Sequence, residues 1–208
     1  MNNCHYGAAF ESGNYHRFTG YINYNGIEGY VKDATFELND KKWGIVFYDG
    51  RWVGGTWPHG HFWGGVWESG TWGYGYWHDG SWLDGIWKDG EWEKGIWHDG
   101  IWHNGIWRNG EWLGGKWQNG GWLNGTWHKG IWNFGRWNDG KWMGGFFKRG
   151  FDEYFFIHEN ESPETWISRN AVSLILQGEL TNGEDSDRNK QTDGIHIEAQ
   201  AGLVRPFY

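Results

Sequence analysis

The sequence contains few of the residues that crosslink or stiffen a chain. Its 208 residues include one cysteine and three prolines. The lone thiol of Cys4 cannot form an internal disulfide, which excludes a disulfide scaffold and fits a reducing compartment or a particle assembled in one. There is no apolar run of about eighteen residues, so we expect no transmembrane segment. The first residues form neither a basic nor an apolar segment, so we expect a non-secreted protein that is cytoplasmic or virion-associated.

Positive charge is also scarce. Eighteen Lys and Arg stand against 26 Asp and Glu, which gives a net charge of −8. This balance disfavours a phosphate backbone as the main partner, so we expect no nucleic-acid binding. The sequence shows no nucleophile–base motif, phosphate loop or paired carboxylates. We therefore expect a protein that is not an enzyme, with no catalytic residues and no cofactor.

Glycine and tryptophan, in contrast, are abundant and regularly spaced. There are 37 glycines and 21 tryptophans, and from Val46 to Gly150 a glycine falls on every fifth residue. An aromatic residue lies three positions before each of these glycines, and it is tryptophan except at Phe47, Phe62 and Phe147. One indole buries roughly 150–250 Å². The spacing predicts one repeat domain over 46–150, with a core built from aromatic rings.

The flanking segments do not follow this period. Residues 1–45 read as an N-terminal β cap, with a hairpin at Asn25-Gly26 because this dipeptide suits a type I′ turn. Residues 151–208 read as a C-terminal segment with a strand over 151–158 and a turn or helix start at Ser162. Two further strands are expected over 171–176 and 195–199. The polar stretch 181–193 predicts a flexible loop.

Within the repeat, the sequence favours short antiparallel strands. Asp89-Gly90 has the composition of a two-residue hairpin loop, so Lys88 would pair with Glu91, and Trp87 would face Trp92. All the aromatic rings would then share one face of the sheet.

Alternate turns in that arrangement share an edge. One edge is polar, whereas the other carries apolar residues such as Ile86, Ile96 and Ile106. The predicted unit is therefore a ten-residue hairpin with a polar tip and an apolar base that faces inward. A narrow ribbon of such hairpins must twist. We therefore expect an all-β fold of tandem hairpins, coiled into a solenoid or a closed, flower-like ring with small β caps.

The tryptophans admit two interpretations. The first is a core in which each indole packs on the next, and the second is a platform on which sugar rings stack. The core is favoured because so large an exposed aromatic surface would aggregate. Trp63 lies out of phase and Trp166 lies outside the array, so these two are the candidates for exposed, ligand-binding indoles. The apolar end of the sequence, with Phe207 and Tyr208, is a candidate for docking on the same fold or on a neighbouring subunit.

Histidines and acidic residues offer weaker candidates. His98 and His103 would lie on opposite edges of the hairpin ladder, too far apart to share a metal ion. His59 and His61 flank one turn and are only slightly better placed. The stretch 185–196 begins like a calcium loop but lacks its glycine and its final glutamate. We expect no metal site.

The unit Gly90-Glu91-Trp92-Glu93-Lys94-Gly95 is similar to the core of membrane-occupation-and-recognition-nexus (MORN) repeats. That resemblance implies rows of short hairpins that serve as scaffolds or membrane-proximal adaptors. The array also resembles Trp-Gly pentad repeats of structural proteins in large tailed phages and other viruses. This second resemblance implies a virion-associated component with protein partners, itself among them.

These observations favour a non-enzymatic structural or attachment component of a larger assembly, such as a virus capsid or tail. The alternative hypothesis is a glycan-binding module that uses exposed tryptophans.

Overall fold

The computed structural model describes residues 15–39, 44–149 and 153–170. Twenty β-strands and one short helix, α1 at 163–170, make up these ranges. The strands are β1 Tyr15–Tyr24, β2 Ile27–Asn39, β3 Gly44–Phe62, β4 Val66–Trp67, β5 Thr71–Trp77, β6 Ser81–Trp82, β7 Ile86–Trp87, β8 Glu91–Trp92, β9 Ile96–Trp97, β10 Ile101–Trp102, β11 Ile106–Trp107, β12 Glu111–Trp112, β13 Lys116–Trp117, β14 Gly121–Trp122, β15 Thr126–Trp127, β16 Ile131–Trp132, β17 Arg136–Trp137, β18 Lys141–Trp142, β19 Gly145–Arg149 and β20 Glu153–Ile157.

The repeat folds as a β-solenoid of about six turns, so the predicted all-β solenoid is confirmed. Each strand pairs in parallel with the strand fifteen residues later, as Trp87 does with Trp102. One coil therefore contains three pentads, each of which forms one side of a triangle. Backbone hydrogen bonds join the coils, for example from the Ile86 amide to the Gly70 carbonyl (2.8 Å) and from Lys88 to Trp72 (2.9 Å).

This register corrects the expected pairing of strands inside the solenoid. Asn25 and Gly26 both have positive φ (50° and 79°), and there the chain reverses as the predicted hairpin. At Asp89-Gly90 only the glycine has positive φ (125°), so the chain bends and continues around the coil. The Asp89 carboxylate accepts a hydrogen bond from the Gly90 amide (2.8 Å) and fixes the bend. The expected ten-residue antiparallel hairpin is thus a fifteen-residue parallel coil.

The aromatic rings at the pentad position all point into the coil, as the shared-face prediction required. They form three columns in which successive rings stack, with 4.9 Å between the centroids of Trp102 and Trp117 and 6° between their planes. Rings in different columns meet edge to face, as do Trp102 and Trp107 at 6.0 Å and 74°. The tryptophans that occupy the pentad position from Trp52 to Trp127 are fully buried, which confirms the core interpretation. Offset and edge-to-face contacts are the favourable geometries for such rings.

The strict glycine has two physical causes, both visible at Gly105. Its φ of 123° is disfavoured for residues with a side chain. A Cβ atom there would also lie 2.4 Å from the carbonyl oxygen of Gly90 in the preceding coil. Glycine therefore permits both the bend and the close approach of neighbouring coils.

The outward positions contradict the expected apolar base. Ile86, Ile96 and Ile106 lie on three different sides of the triangle and are 36%, 37% and 38% exposed. The physical reason is that a three-sided coil has no period of ten. Residues ten apart therefore never share an edge.

At the N-terminal end, β1 and β2 form an antiparallel sheet with β3. The pairing of β2 with β3 shifts register between Tyr30 and Val31 and again between Lys32 and Phe36. Such bulges bend a strand, and these let β2 follow the first coil around its corners. Val31 and Phe36 from β2 are fully buried against the aromatic core.

At the C-terminal end, β19 continues the coil and then pairs with β20 in an antiparallel hairpin. The predicted strand over 151–158 is thus observed as Glu153–Ile157, and the predicted helix start at Ser162 is observed as α1. The Ser162 hydroxyl caps this helix by accepting from the Thr165 amide (3.2 Å). The strands expected over 171–176 and 195–199, and the loop 181–193, lie outside the described residues.

Candidate binding surfaces

Each side of the coil presents the residue before each buried ring to the outside. The parallel register stacks these residues into three outer ladders, one on each side of the coil. We call the three sides face 1, face 2 and face 3. Face 1 carries Arg51, Val66, Ser81, Ile96, Glu111, Thr126 and Lys141. Face 2 carries His61, Tyr76, Glu91, Ile106, Gly121 and Arg136. Face 3 carries Thr56, Thr71, Ile86, Ile101, Lys116, Ile131 and Phe146.

An aromatic cluster lies on face 2 near the N-terminal end, formed by Trp63, His61, Tyr76, His78 and Glu93. The Trp63 ring is 49% exposed and stacks on His78 with 3.9 Å between centroids and 12° between planes. His61 stacks on Tyr76 at 5.1 Å. The prediction that Trp63 is exposed is confirmed, and it is the only exposed tryptophan in the described ranges.

A chain of polar contacts fixes the imidazoles of this cluster. His78 Nδ1 lies 2.9 Å from a Glu93 carboxylate oxygen, and His78 Nε2 lies 3.3 Å from His61 Nδ1. The cluster therefore combines an indole plate with a carboxylate and two imidazoles, the groups that stack on and hydrogen-bond a sugar ring.

The sequence did not reveal this cluster, because its contacts join residues that are fifteen or seventeen positions apart. In the sequence, His61 and His78 are seventeen residues apart and belong to different pentads. Only the fifteen-residue coil places them side by side. His98 and His103 remain apart, since they follow rings on face 1 and face 3. In the part of the chain that the structure describes, no three His, Cys, Asp or Glu side chains are placed to hold a metal ion.

Tyr48, fifteen residues before Trp63, contacts the N-terminal sheet. Its hydroxyl donates to the Glu37 carboxylate (3.0 Å), and its ring packs on Tyr15 at 5.1 Å between centroids. Burial, followed by these two neighbours, raises the pKa of Tyr48 far above its ordinary value. This hydroxyl stays protonated across the physiological pH range.

Trp166 differs from the expectation of an exposed indole. It lies on α1 and is partly buried. Its ring packs against Phe155 and Phe147, with 5.0 Å and 5.8 Å between the ring centroids. Phe147 is the last ring of its column, so Trp166 covers the end of the aromatic core. Phe207 and Tyr208 lie outside the described residues, as does the calcium-like stretch 185–196.

Within the described ranges, no helix has the length and apolar character needed to cross a bilayer. Comparison with known proteins adds no family or relative: no family model, no curated protein and no solved structure matches this chain.

Proposed function

We propose that this protein is a non-enzymatic structural or attachment component of a larger assembly, of which a virus capsid or tail is one example. The observation that carries the proposal is the uninterrupted aromatic core. Every interior coil repeats the same stacked and edge-to-face contacts, and fully buried rings account for the inside of the coil.

Such a core supports a scaffold role because the buried rings stabilise the coil, whereas the outward residues determine the chemistry of the surface. Stacked repeats behave as quasi-one-dimensional structures whose neighbours stabilise each other. The outer residues vary from coil to coil without disturbing the rings beneath them. The result is a stiff rod with three faces of different composition, on which protein partners can bind, copies of the same chain included.

The proposal is tested by returning a tagged chain to its source and isolating it under mild conditions. We expect it in a stoichiometric assembly far larger than 24.3 kDa, with partners that crosslink to outward positions of the coil. A chain recovered as a free monomer whose only ligand is a saccharide would contradict the proposal.

The aromatic cluster supports glycan binding as the alternative function. Trp63 is 49% exposed and stacks on His78, whose imidazole contacts the carboxylate of Glu93. A glycan array with the wild type and with Trp63→Ala tests this alternative. Phe134→Ala is a matched control, because Phe134 is an exposed aromatic residue (63%) away from the cluster. If Trp63 binds the sugar, only Trp63→Ala loses the signal.

A further inference from the structure

An apolar groove lies at the C-terminal end of the coil, between the corner at Gly130 and Gly145 and the last hairpin. It encloses about 560 Å³. Its apolar lining comes from two successive face 3 residues, Ile131 and Phe146, together with Met143, Phe156 and Tyr154. This volume is in the range of small-molecule sites, roughly 300–1,000 Å³.

The hairpin of β19 and β20 builds the groove. Phe156 pairs with Phe146 across the two strands, and their rings meet edge to face at 5.4 Å. Phe156 nevertheless stays 41% exposed. At the corner, Gly144 supplies no side chain, and a Cβ atom there would lie 3.7 Å from the Phe156 ring. The space beside Phe156 is thus left open by a glycine.

The rim of the groove is cationic. Lys116, Lys129 and His128 line it. Neither lysine makes an ion pair with any residue in the described ranges. His128 has only a distant carboxylate, that of Glu111 at 3.9 Å. A groove with an apolar floor and two unpaired ammonium groups at its edge matches a ligand with an apolar body and one anionic group.

We propose that this groove binds one small amphiphilic anion, such as a medium-chain or aromatic carboxylate. The apolar body lies on Ile131, Phe146 and Phe156, and the anionic group lies between Lys116 and Lys129. The volume suits a single molecule. The inference concerns a site on the far end of the rod from the aromatic cluster, and it is independent of the scaffold and glycan proposals.

Binding is measured with full-length protein and the fluorescent anion 8-anilinonaphthalene-1-sulfonate, followed by competition with octanoate and with octan-1-ol. We expect octanoate to displace the probe at a concentration about tenfold lower than the alcohol, because only the carboxylate pairs with the lysines. A separate experiment uses vesicles of phosphatidylglycerol and phosphatidylcholine. We expect the protein not to bind these vesicles, because the groove takes a single free molecule.

Two pairs of variants locate the site. Lys116→Glu with Lys129→Glu weakens octanoate binding about tenfold, whereas Lys32→Glu with Lys88→Glu, the same charge change at distant exposed positions, stays within about twofold. Phe156→Ala weakens the binding of both octanoate and octan-1-ol. Phe134→Ala does not. Unchanged near-ultraviolet circular dichroism of each variant shows that the fold is retained.

Three outcomes overturn the inference. They are the absence of probe and octanoate binding, equal competition by acid and alcohol with no effect of the lysine substitutions, and association with vesicles only.

Discussion

The coil and the N-terminal sheet bury apolar side chains by different means. In the coil, identical rings repeat every five residues, and each interior ring has the same neighbours. In the sheet, Ile22, Ile27, Val31 and Phe36 are buried by an antiparallel hairpin with irregular register. A periodic environment permits a periodic sequence, whereas a sheet that must end the coil needs bulges and residues of different sizes. The contrast shows why the pentad stops where the chain must cover an exposed edge.

The largest expected effect is the loss of one interior ring. Trp102→Ala should lower the free energy of unfolding by about 3–5 kcal/mol, because a fully buried indole leaves a cavity. Trp87→Ala and Trp117→Ala should cost nearly the same, since their surroundings repeat. Urea denaturation measures all three. Unequal costs among the three variants would contradict the idea that the coils are equivalent. Ile27→Ala and Phe36→Ala, in the N-terminal sheet, are the comparison, because we expect their costs to differ from each other.

The next effect concerns two adjacent glycines. Gly120→Ala should cost about 2–4 kcal/mol, because φ is 122° and the new Cβ would lie 2.3 Å from the Gly105 carbonyl oxygen. Gly121→Ala should change stability by less than about 1 kcal/mol, since nothing lies within 4 Å of its added Cβ. Thermal unfolding of the two variants measures the difference. Equal losses of stability in the two variants would show that the bend and close approach at every fifth residue do not explain the strict glycine spacing.

A smaller, pH-dependent effect is expected where the two regions join. The raised pKa of Tyr48 means that the folded state holds the phenol proton more tightly than the unfolded chain does. Tyr48 therefore contributes stability below its ordinary pKa, about 10, and this contribution falls as pH rises above that value. Denaturation at about pH 8 and pH 11 should show a steeper loss for the wild type than for Tyr48→Phe. An equal loss of stability in the wild type and in Tyr48→Phe would show that Tyr48 does not cause the pH dependence.

The smallest effect belongs to an exposed ion pair on face 2. Arg108 Nη2 lies 2.6 Å from a Glu91 carboxylate oxygen, and the two side chains are 49% and 32% exposed. Water and salt screen such a pair, so Arg108→Ala should cost less than about 1 kcal/mol. The measurement sharpens the contrast with the neighbouring Trp92, which is fully buried. A loss as large as that of a core ring would mean that the faces, too, stabilise the coil.

Several features could be predicted from the sequence because they depend on local chemistry. The turn at Asn25-Gly26 and the helix start at Ser162 are short-range signals, and both are observed. The inward direction of every ring also follows from its position within the pentad. These predictions needed no knowledge of which strands pair.

The number of sides in the coil could not be predicted from a five-residue period. Asp89-Gly90 suits both a hairpin loop and a bend, and the difference lies in the φ of the residue before the glycine. Pairing with the strand fifteen residues away decides the outcome. Because the pairing was unknown, the sequence could not show that Trp63 lies beside His78. It also could not show that Lys116 and Lys129 line one groove.

Three pentads per coil make the length of the rod quantised. Insertion of fifteen residues within the array would add one layer of about 4.8 Å and leave every outer ladder in line. Insertion of five would preserve the core equally well, but it would turn everything downstream by a third of a revolution. A duplication of one pentad would thus change which residues share an outer surface at almost no cost to the interior.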